Sequence, residues 1–419
     1  MIRREFLESL SVLAPINIRK RTTANEEWSM YANNQYNTGY NIEGVSIGKK
    51  NIKKNNYIKG KKISTTPIVD GNTIYVGTDG GVFLSINSNT GETRWTHQTS
   101  GSIWSSPALS DGTLYFGDNT GNFYAIDNGG EHKWTFSTDA KIHSSPVVKQ
   151  GIAYFVSYDG NLYAVSSGSE VWKAPVGGST GSSPALSGDR LIVGSGFQKG
   201  HVRAISTSGK QIWDRKFDNG FGSSPTIHNN RVYIGGYDGN LYCLNLKSGE
   251  TVWKFSTGSS IASSPSIGNH VVVFGNDSGS VYGVNAKTGE EIWSHDLDEG
   301  KVWNSPALTD SAAYVGSDRA IAAFDLHYGD EFWALEHGTG FASPSVTNNS
   351  LYVPSHGLYE IFDKMKVSNS EKTEEDSTTT PGGGTVTILG IPFQINLSIG
   401  IVALISAIAG LLGWSKKDN

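Results

Sequence analysis

The stretch "IWSSPALSDGTLYFG", residues 103–117, decides the fold because it returns. "IHSSPVVKQGIAYFV" starts at Ile142, "IASSPSIGNHVVVFG" at Ile261 and "VWNSPALTDSAAYVG" at Val302. Aligned prolines stand at Pro67, Pro107, Pro146, Pro184, Pro225, Pro265, Pro306 and Pro344, 38 to 41 residues apart. A period near 40 is that of a four-stranded propeller blade, and eight prolines call for eight blades. Proline cannot donate a ladder hydrogen bond, so it belongs at a strand start or on an edge strand. The innermost strand of a blade is such an edge, facing the central channel.

A second marker keeps the same register. Glycine followed four places later by tryptophan occurs at Gly91/Trp95, Gly130/Trp134, Gly168/Trp172, Gly209/Trp213, Gly249/Trp253, Gly289/Trp293 and Gly329/Trp333. The glycine supplies the positive φ that a hairpin turn needs. The tryptophans are expected to dock blade on blade. Each indole buries roughly 150–250 Å², or about 4–6 kcal/mol as an upper bound. Four strands are read per repeat: "SPAL", "TLYFG", "NFYAID" and "HKWTF" in the second. With eight starts and only seven tryptophan ends, the ring lacks one outer strand. Residues 52–60 are expected to supply it, with Tyr57 where tryptophan stands elsewhere.

The 419 residues include 51 glycines and 11 tryptophans, as suits an all-β chain rich in turns. A net charge of -5 argues against a nucleic-acid partner. The one cysteine, Cys243, occupies a place where sister repeats have alanine, and reads as a small buried residue.

The segments "INSNTGETRW", "LNLKSGETVW" and "VNAKTGEEIW", with the "SSP" starts, resemble the PQQ-like repeat family, the tryptophan-docking propellers, over about residues 51–363. The architecture also resembles the outer-membrane assembly lipoproteins and, more loosely, WD40-like propellers. "WSMYANNQYNTG", from Trp28, resembles a segment that precedes the propeller in surface members. The resemblance implies the fold, an eight-bladed propeller closed by an N-terminal strand. It leaves function open, because one fold hosts many functions.

Chemistry is harder to find. The large quinoprotein dehydrogenases of this family are similar in fold but carry an adjacent cysteine pair and a calcium site on inserted loops; Cys243 stands alone and no repeat carries a long insertion. No cofactor is expected, with pyrroloquinoline quinone (PQQ) the alternative. "GGSTG", residues 177–181, matches a nucleophile elbow in letters but lies in an inter-blade loop, where that motif needs a strand-to-helix turn. The ten histidines show no zinc spacing. The "YDGN" turns at Tyr158 and Tyr237 read as hairpin turns before calcium loops. No catalytic or metal residue is assigned.

One position breaks the uniformity. Three places before each proline stand Ser64, Trp104, His143, Gly181, Gly222, Ala262, Trp303 and Phe341. Two places before stand Thr65, Ser105, Ser144, Ser182, Ser223, Ser263, Asn304 and Ala342. The second series is small and mostly hydroxylated, as a repeated capping role requires. The first runs from glycine to tryptophan, and every copy is expected at the channel mouth. Trp104, His143, Trp303, Phe341 and Asn304 are therefore candidates for contact with a protein or cell-surface glycan. The competing reading is a plug of the channel.

The chain divides into an N-terminal segment (1–50), the propeller (51–363), a polar acidic stalk (364–387), an apolar segment read as a transmembrane helix (388–414) and a basic tail (415–419). No charge occurs between Asp376 and Lys416, and residues 395–414 match a bilayer's thickness. Lys416 and Lys417 point to a cytoplasmic C-terminus and a propeller outside. Arg3, Arg4, Phe6 and Leu7 resemble a twin-arginine export signal with a short apolar part, and a tail-anchored cytoplasmic propeller is the competing reading. Asn276 and Asn348 sit in glycosylation tripeptides. The expected function is non-catalytic binding or assembly; the alternatives are a quinone-dependent oxidoreductase and a structural surface component.

Overall fold

The computed structural model describes residues 30–35, 37–42, 44, 47, 52–297, 300–348, 350–363, 384–388 and 391–395. Eight four-stranded antiparallel sheets follow one another along the chain. In the first blade, β2 (Ile68–Asp70), β3 (Thr73–Gly77), β4 (Val82–Asn87) and β5 (Thr93–Gln98) run from the channel outward. Each later blade repeats that order with its own Ser-Pro start before the inner strand. The inner strands are only two or three residues long, which keeps their free edge short. Strands two and three are almost wholly buried and form the blade core, whereas the outer strand alternates exposed and covered residues.

The ring closes as expected. β1 (Ile52–Lys59) pairs antiparallel with Gly357–Asp363, completing the eighth blade. The eight-bladed propeller with an N-terminal closing strand is therefore the fold.

The glycine and tryptophan of the repeat are two halves of one lock. Each tryptophan from Trp95 to Trp293 lies on the glycine of the next blade. A Cβ built on Gly130 would sit 2.8 Å from Trp95, one on Gly209 2.9 Å from Trp172, and one on Gly249 2.7 Å from Trp213. Trp253 meets Gly289 in the same way at 2.6 Å, and Trp293 meets Gly329 at 2.5 Å. Trp134 makes the loosest lock, 3.1 Å from Gly168 and through its own Cβ. Several indoles also donate to the next blade's turn: Trp95 to the Asn128 carbonyl at 3.0 Å, Trp213 to Leu246 at 3.1 Å and Trp293 to Leu326 at 3.0 Å.

Burial of these indoles corrects the expectation in part. Trp213, Trp293 and Trp333 are buried, but Trp95, Trp134, Trp172 and Trp253 are only partly so. An outer strand has the next blade on one side and solvent on the other, so these four stabilise the ring by less than the upper bound.

At the seam Tyr57 takes the same seat. Its ring lies 2.8 Å from where a Cβ on Gly91 would be, and its hydroxyl donates to the Ser88 carbonyl at 2.6 Å. Trp333, which has no glycine ahead of it, donates to the Ile47 carbonyl of the N-terminal segment. Opposite each tryptophan the third strand bulges at a small residue, and Cys243 is one of these, paired with Trp253. It is fully buried, and burial pushes its thiol up to about 12, as an inert packing residue requires.

The described C-terminal residues correct another expectation. Gly384–Ile388 and Ile391–Ile395 pair as a two-stranded hairpin, so the end of the expected stalk and the start of the expected helix are strand. β-branched and aromatic residues in "GTVTI" and "IPFQI" favour strand, and Pro392 disfavours helix interior. Among the described residues no helix is long and apolar enough to cross a membrane. Residues 396–414 and the twin-arginine-like stretch lie outside the described residues. Asn276 is a further correction: it is fully buried, and its side-chain oxygen accepts from Ser278 and Ser280, so it caps a turn and offers no glycan site.

Candidate functional site

The three residues before each proline alternate in direction, as extended chain must. The series two places before turns into the blade. Thr65, Ser105, Ser144, Ser182, Ser223 and Ser263 are fully buried. Thr65 Oγ1 donates to the Gly77 carbonyl and accepts from the Gly77 amide, tying the chain to the end of β3; Ser223 repeats this with Gly235. Ser144 accepts from Val156 in the same way, whereas Ser105 and Ser263 donate to the next blade and the Ser182 hydroxyl has no partner, so the capping role holds for part of the series. Asn304 belongs here: it borders the cavity, its amide nitrogen donates to Thr339 in the wall, and its side-chain oxygen is buried without a partner.

The series three places before, and the series one place before, face the channel. All eight members of the variable series line a cavity of about 380 Å³. The docking tryptophans, Trp134 and Trp293 among them, stand outside this lining. Below the variable series runs a ring of hydroxyls: Thr66, Ser106, Ser145, Ser183, Ser224, Ser264, Ser305 and Ser343. The backbone amide of one member donates to the side-chain oxygen of the next, as from Thr66 to Ser106 at 2.8 Å, Ser106 to Ser145 at 3.0 Å and Ser183 to Ser224 at 2.9 Å. Blades are thus linked edge to edge at the channel waist.

The aromatic members stack on one another. Trp303 and Phe341 lie 4.5 Å apart and nearly parallel at 5°. Phe341 reaches over Ser64 to Trp104 at 6.0 Å, and Trp104 meets His143 at 4.7 Å. His143 then meets the edge of Tyr158 at 4.7 Å. Trp303 Nε1 donates to Asp277, while Trp104 Nε1 and His143 Nε2 are buried without a hydrogen-bond partner. Burial, with Lys141 nearby, pushes the His143 pKa down to about 4, so the ring is neutral at pH 7. On the rim Lys141 stands 4.4 Å over Tyr158, Lys301 5.1 Å over Trp303 and Lys62 6.0 Å over Trp104. Lys62 also pairs with Asp79 at 3.0 Å.

Tyr158 and Tyr237, taken only as turn residues, swing into the cavity. Their Asp partners stay in the turns: the Tyr163 hydroxyl donates to Asp159 and that of Tyr242 to Asp238. The glycines at the mouth seat these tyrosines. A Cβ on Gly181 would lie 3.1 Å from the Tyr158 hydroxyl and one on Gly222 2.1 Å from that of Tyr237. The signal was present, since tyrosine stands where other repeats have Asp or Asn. The N-terminal segment also takes part, which its letters alone do not signal. It crosses the far end of the channel: Leu186, Ile267 and Leu308 amides donate to the carbonyls of Gln35, Thr38 and Gly39, and Asn37 donates to the Pro184 and Pro225 carbonyls. Tyr31 meets Ser264 at 2.9 Å and Ser305 at 2.6 Å, making the cavity a cup with a floor. "GGSTG" carries no nucleophile elbow: Ser179 donates to the Tyr158 carbonyl within a loop.

The two tryptophans offer a planar cofactor little free face: Trp303 is flanked by Phe341 and Lys301, Trp104 by His143 and Phe341, while Phe341 itself stays half-exposed. Among the described residues no group of three or more His, Cys, Asp or Glu could hold a metal beside it.

The family profile described as outer membrane protein assembly factor BamB matches residues 101–167 and 159–366. No curated protein matches in sequence. Among solved structures, BamB from Moraxella catarrhalis is 18% identical, with 75% of this chain and 99% of that chain covered and a TM-score of 0.61. Quinohemoprotein alcohol dehydrogenase from Comamonas testosteroni is 13% identical over 88% of this chain and 84% of that chain, at a TM-score of 0.66. A europium-containing methanol dehydrogenase is 12% identical over 81% and 98%, at 0.69. At these identities the likeness to the solved structures is one of fold.

Proposed function

The chain belongs to the PQQ-repeat propeller family described as outer membrane protein assembly factor BamB, and from that premise we propose that it is a non-catalytic binding or assembly scaffold whose cup receives a partner. One observation carries the reading: a uniform ring of eight blades gathers its eight variable positions, which hold six residue types, around one cavity. Scaffold positions that only pack, such as the glycine–tryptophan locks, repeat; these do not. A protein partner suits the cup, because Trp303 and Trp104 are stacked against neighbouring rings while half-exposed Phe341 offers an apolar contact for a side chain. We further propose that the apolar run ending at Trp414 anchors the chain in a membrane with the propeller outside; its freedom from charge and the following Lys416 and Lys417 support this.

The test is capture from native membranes with wild-type protein and with Trp104→Ala/Trp303→Ala. A partner held by wild type and lost by a variant of unchanged melting temperature supports the cup. A variant that melts much earlier and captures the same proteins makes the rings a plug. Protease treatment of intact cells tests the topology: a propeller digested before lysis lies outside.

A further inference from the structure

We infer that the cup takes the free C-terminal end of a peptide chain, carboxylate first; this deepens the reading of the cup as the binding site and rests on it. Three features of the cavity lead to it. The first is shape. Among the described residues Tyr31 closes the floor, bonded to Ser264 and Ser305, and leaves the mouth as the side of entry. About 380 Å³ is near the lower end of ligand pockets, roughly 300–1,000 Å³. That room suits a chain end, where a loop would have to pass the mouth twice.

The second is the hydrogen-bonding inventory. The hydroxyls of Ser106, Ser145, Ser183, Ser224 and Ser343 each accept a backbone amide from the preceding blade, at 2.8 to 3.0 Å. Among the described residues none of the five donates to an acceptor. Each is 4 to 5% exposed and lines the cavity. An oxygen already engaged by an N–H keeps its proton for another partner, and here that partner lies in the cavity. Five hydroxyl donors therefore face one small volume. Asp277 is the only carboxylate in the described lining, and it already accepts from Trp303. An anionic acceptor forms hydrogen bonds roughly twice as strong as a neutral one. Lys141 and Lys301 on the rim add attraction for the entering charge.

The third is the wall. The arc of Trp303, Phe341, Trp104 and His143 stacks ring on ring and turns edges toward a ligand, with Phe341 half-exposed. Edges are the positive part of an aromatic ring, which again favours a carboxylate and apolar side chains over the flat face of a sugar.

The full-length protein is titrated, by calorimetry and tryptophan fluorescence, with N-acetylated tripeptides varied at the last residue. Each is used as the free acid and as the C-terminal amide, with trigalacturonic acid as an acidic-glycan probe. The expected result is binding of free acids, at least tenfold weaker binding of the amides, and a several-fold loss in Lys301→Gln at unchanged melting temperature. Equal binding of acid and amide overturns the inference while leaving the cup a binding site. Binding of trigalacturonic acid alone overturns it in favour of a glycan. Silence with all probes overturns it too, and the membrane-capture comparison then decides separately whether the cup binds at all.

Discussion

The seam between blades and the mouth of the channel are made by the same repeat, yet one is uniform and the other is not. At the seam the same pair, glycine and tryptophan, meets in blade after blade, and even the closing strand offers Tyr57 as a substitute. At the mouth eight equivalent positions hold six residue types. The seam satisfies one geometry seven times, six with tryptophan and once with Tyr57, and departs from it only where Trp333 meets Ile47. The mouth has eight neighbours of which each can be different, and its glycines and aromatics compensate one another: where Gly181 and Gly222 leave room, Tyr158 and Tyr237 fill it.

The largest effect should come from the seam. Trp213 is buried and donates to the next blade. Trp213→Ala should cost about 3–5 kcal/mol, read as a lower urea midpoint, as for other buried tryptophans. The same change at the looser, partly buried Trp134 should cost less. A loss under about 1 kcal/mol at Trp213 would show that the locks are redundant. Next is His143. Its folded pKa, near 4, lies below the ordinary value of 6.5 because burial and Lys141 disfavour the cation. Between those values the unfolded chain binds more protons, so stability is full above about pH 6.5 and falls as pH drops toward 4, by up to about 3 kcal/mol. His143→Gln should flatten that slope in unfolding curves recorded from about pH 4 to 7.

Gly222→Ala tests compensation at the mouth. The new Cβ meets the Tyr237 hydroxyl, and the cost should be about 1–3 kcal/mol. A double-mutant cycle with Tyr237→Ala should recover roughly half or more of it; no recovery would mean that the tyrosine is not the obstacle. Smallest is the latch hydroxyl. Tyr57→Phe keeps the ring in its seat but removes the bonds to Ser88 and Glu360, for about 1 kcal/mol by thermal melting. A loss as large as that of Trp213→Ala would move the weight of the latch from ring to hydroxyl.

Much of this was legible in the chain. Blade number, the strand order within each repeat and the closing role of residues 52–60 follow from spacing, because a repeat that cannot bury its face alone must stack on its neighbours. The variable series was legible too: period-2 alternation in extended chain sends neighbouring positions to opposite sides. Spacing did not reveal how deeply each docking tryptophan sits, so Trp134 and Trp293 share a motif but differ in burial. Asn276 misled because a tripeptide carries no measure of burial. The tyrosines of the hairpin turns were missed because their letters fit the turn, and where a turn side chain leans depends on the blade beside it.

Sequence by itself determined the ring: its period, its closure and the eight residues given to its mouth, since these depend on local spacing and on packing that recurs. Only the tertiary structure decided that the mouth opens into a floored cup. Tyr31 meets Ser264 and Ser305 across separations of more than 230 residues. The rings of Trp303, Phe341, Trp104 and His143 come together only after four inner strands converge on one axis. Contacts made once, between distant blades, leave no period in the chain from which they could be read.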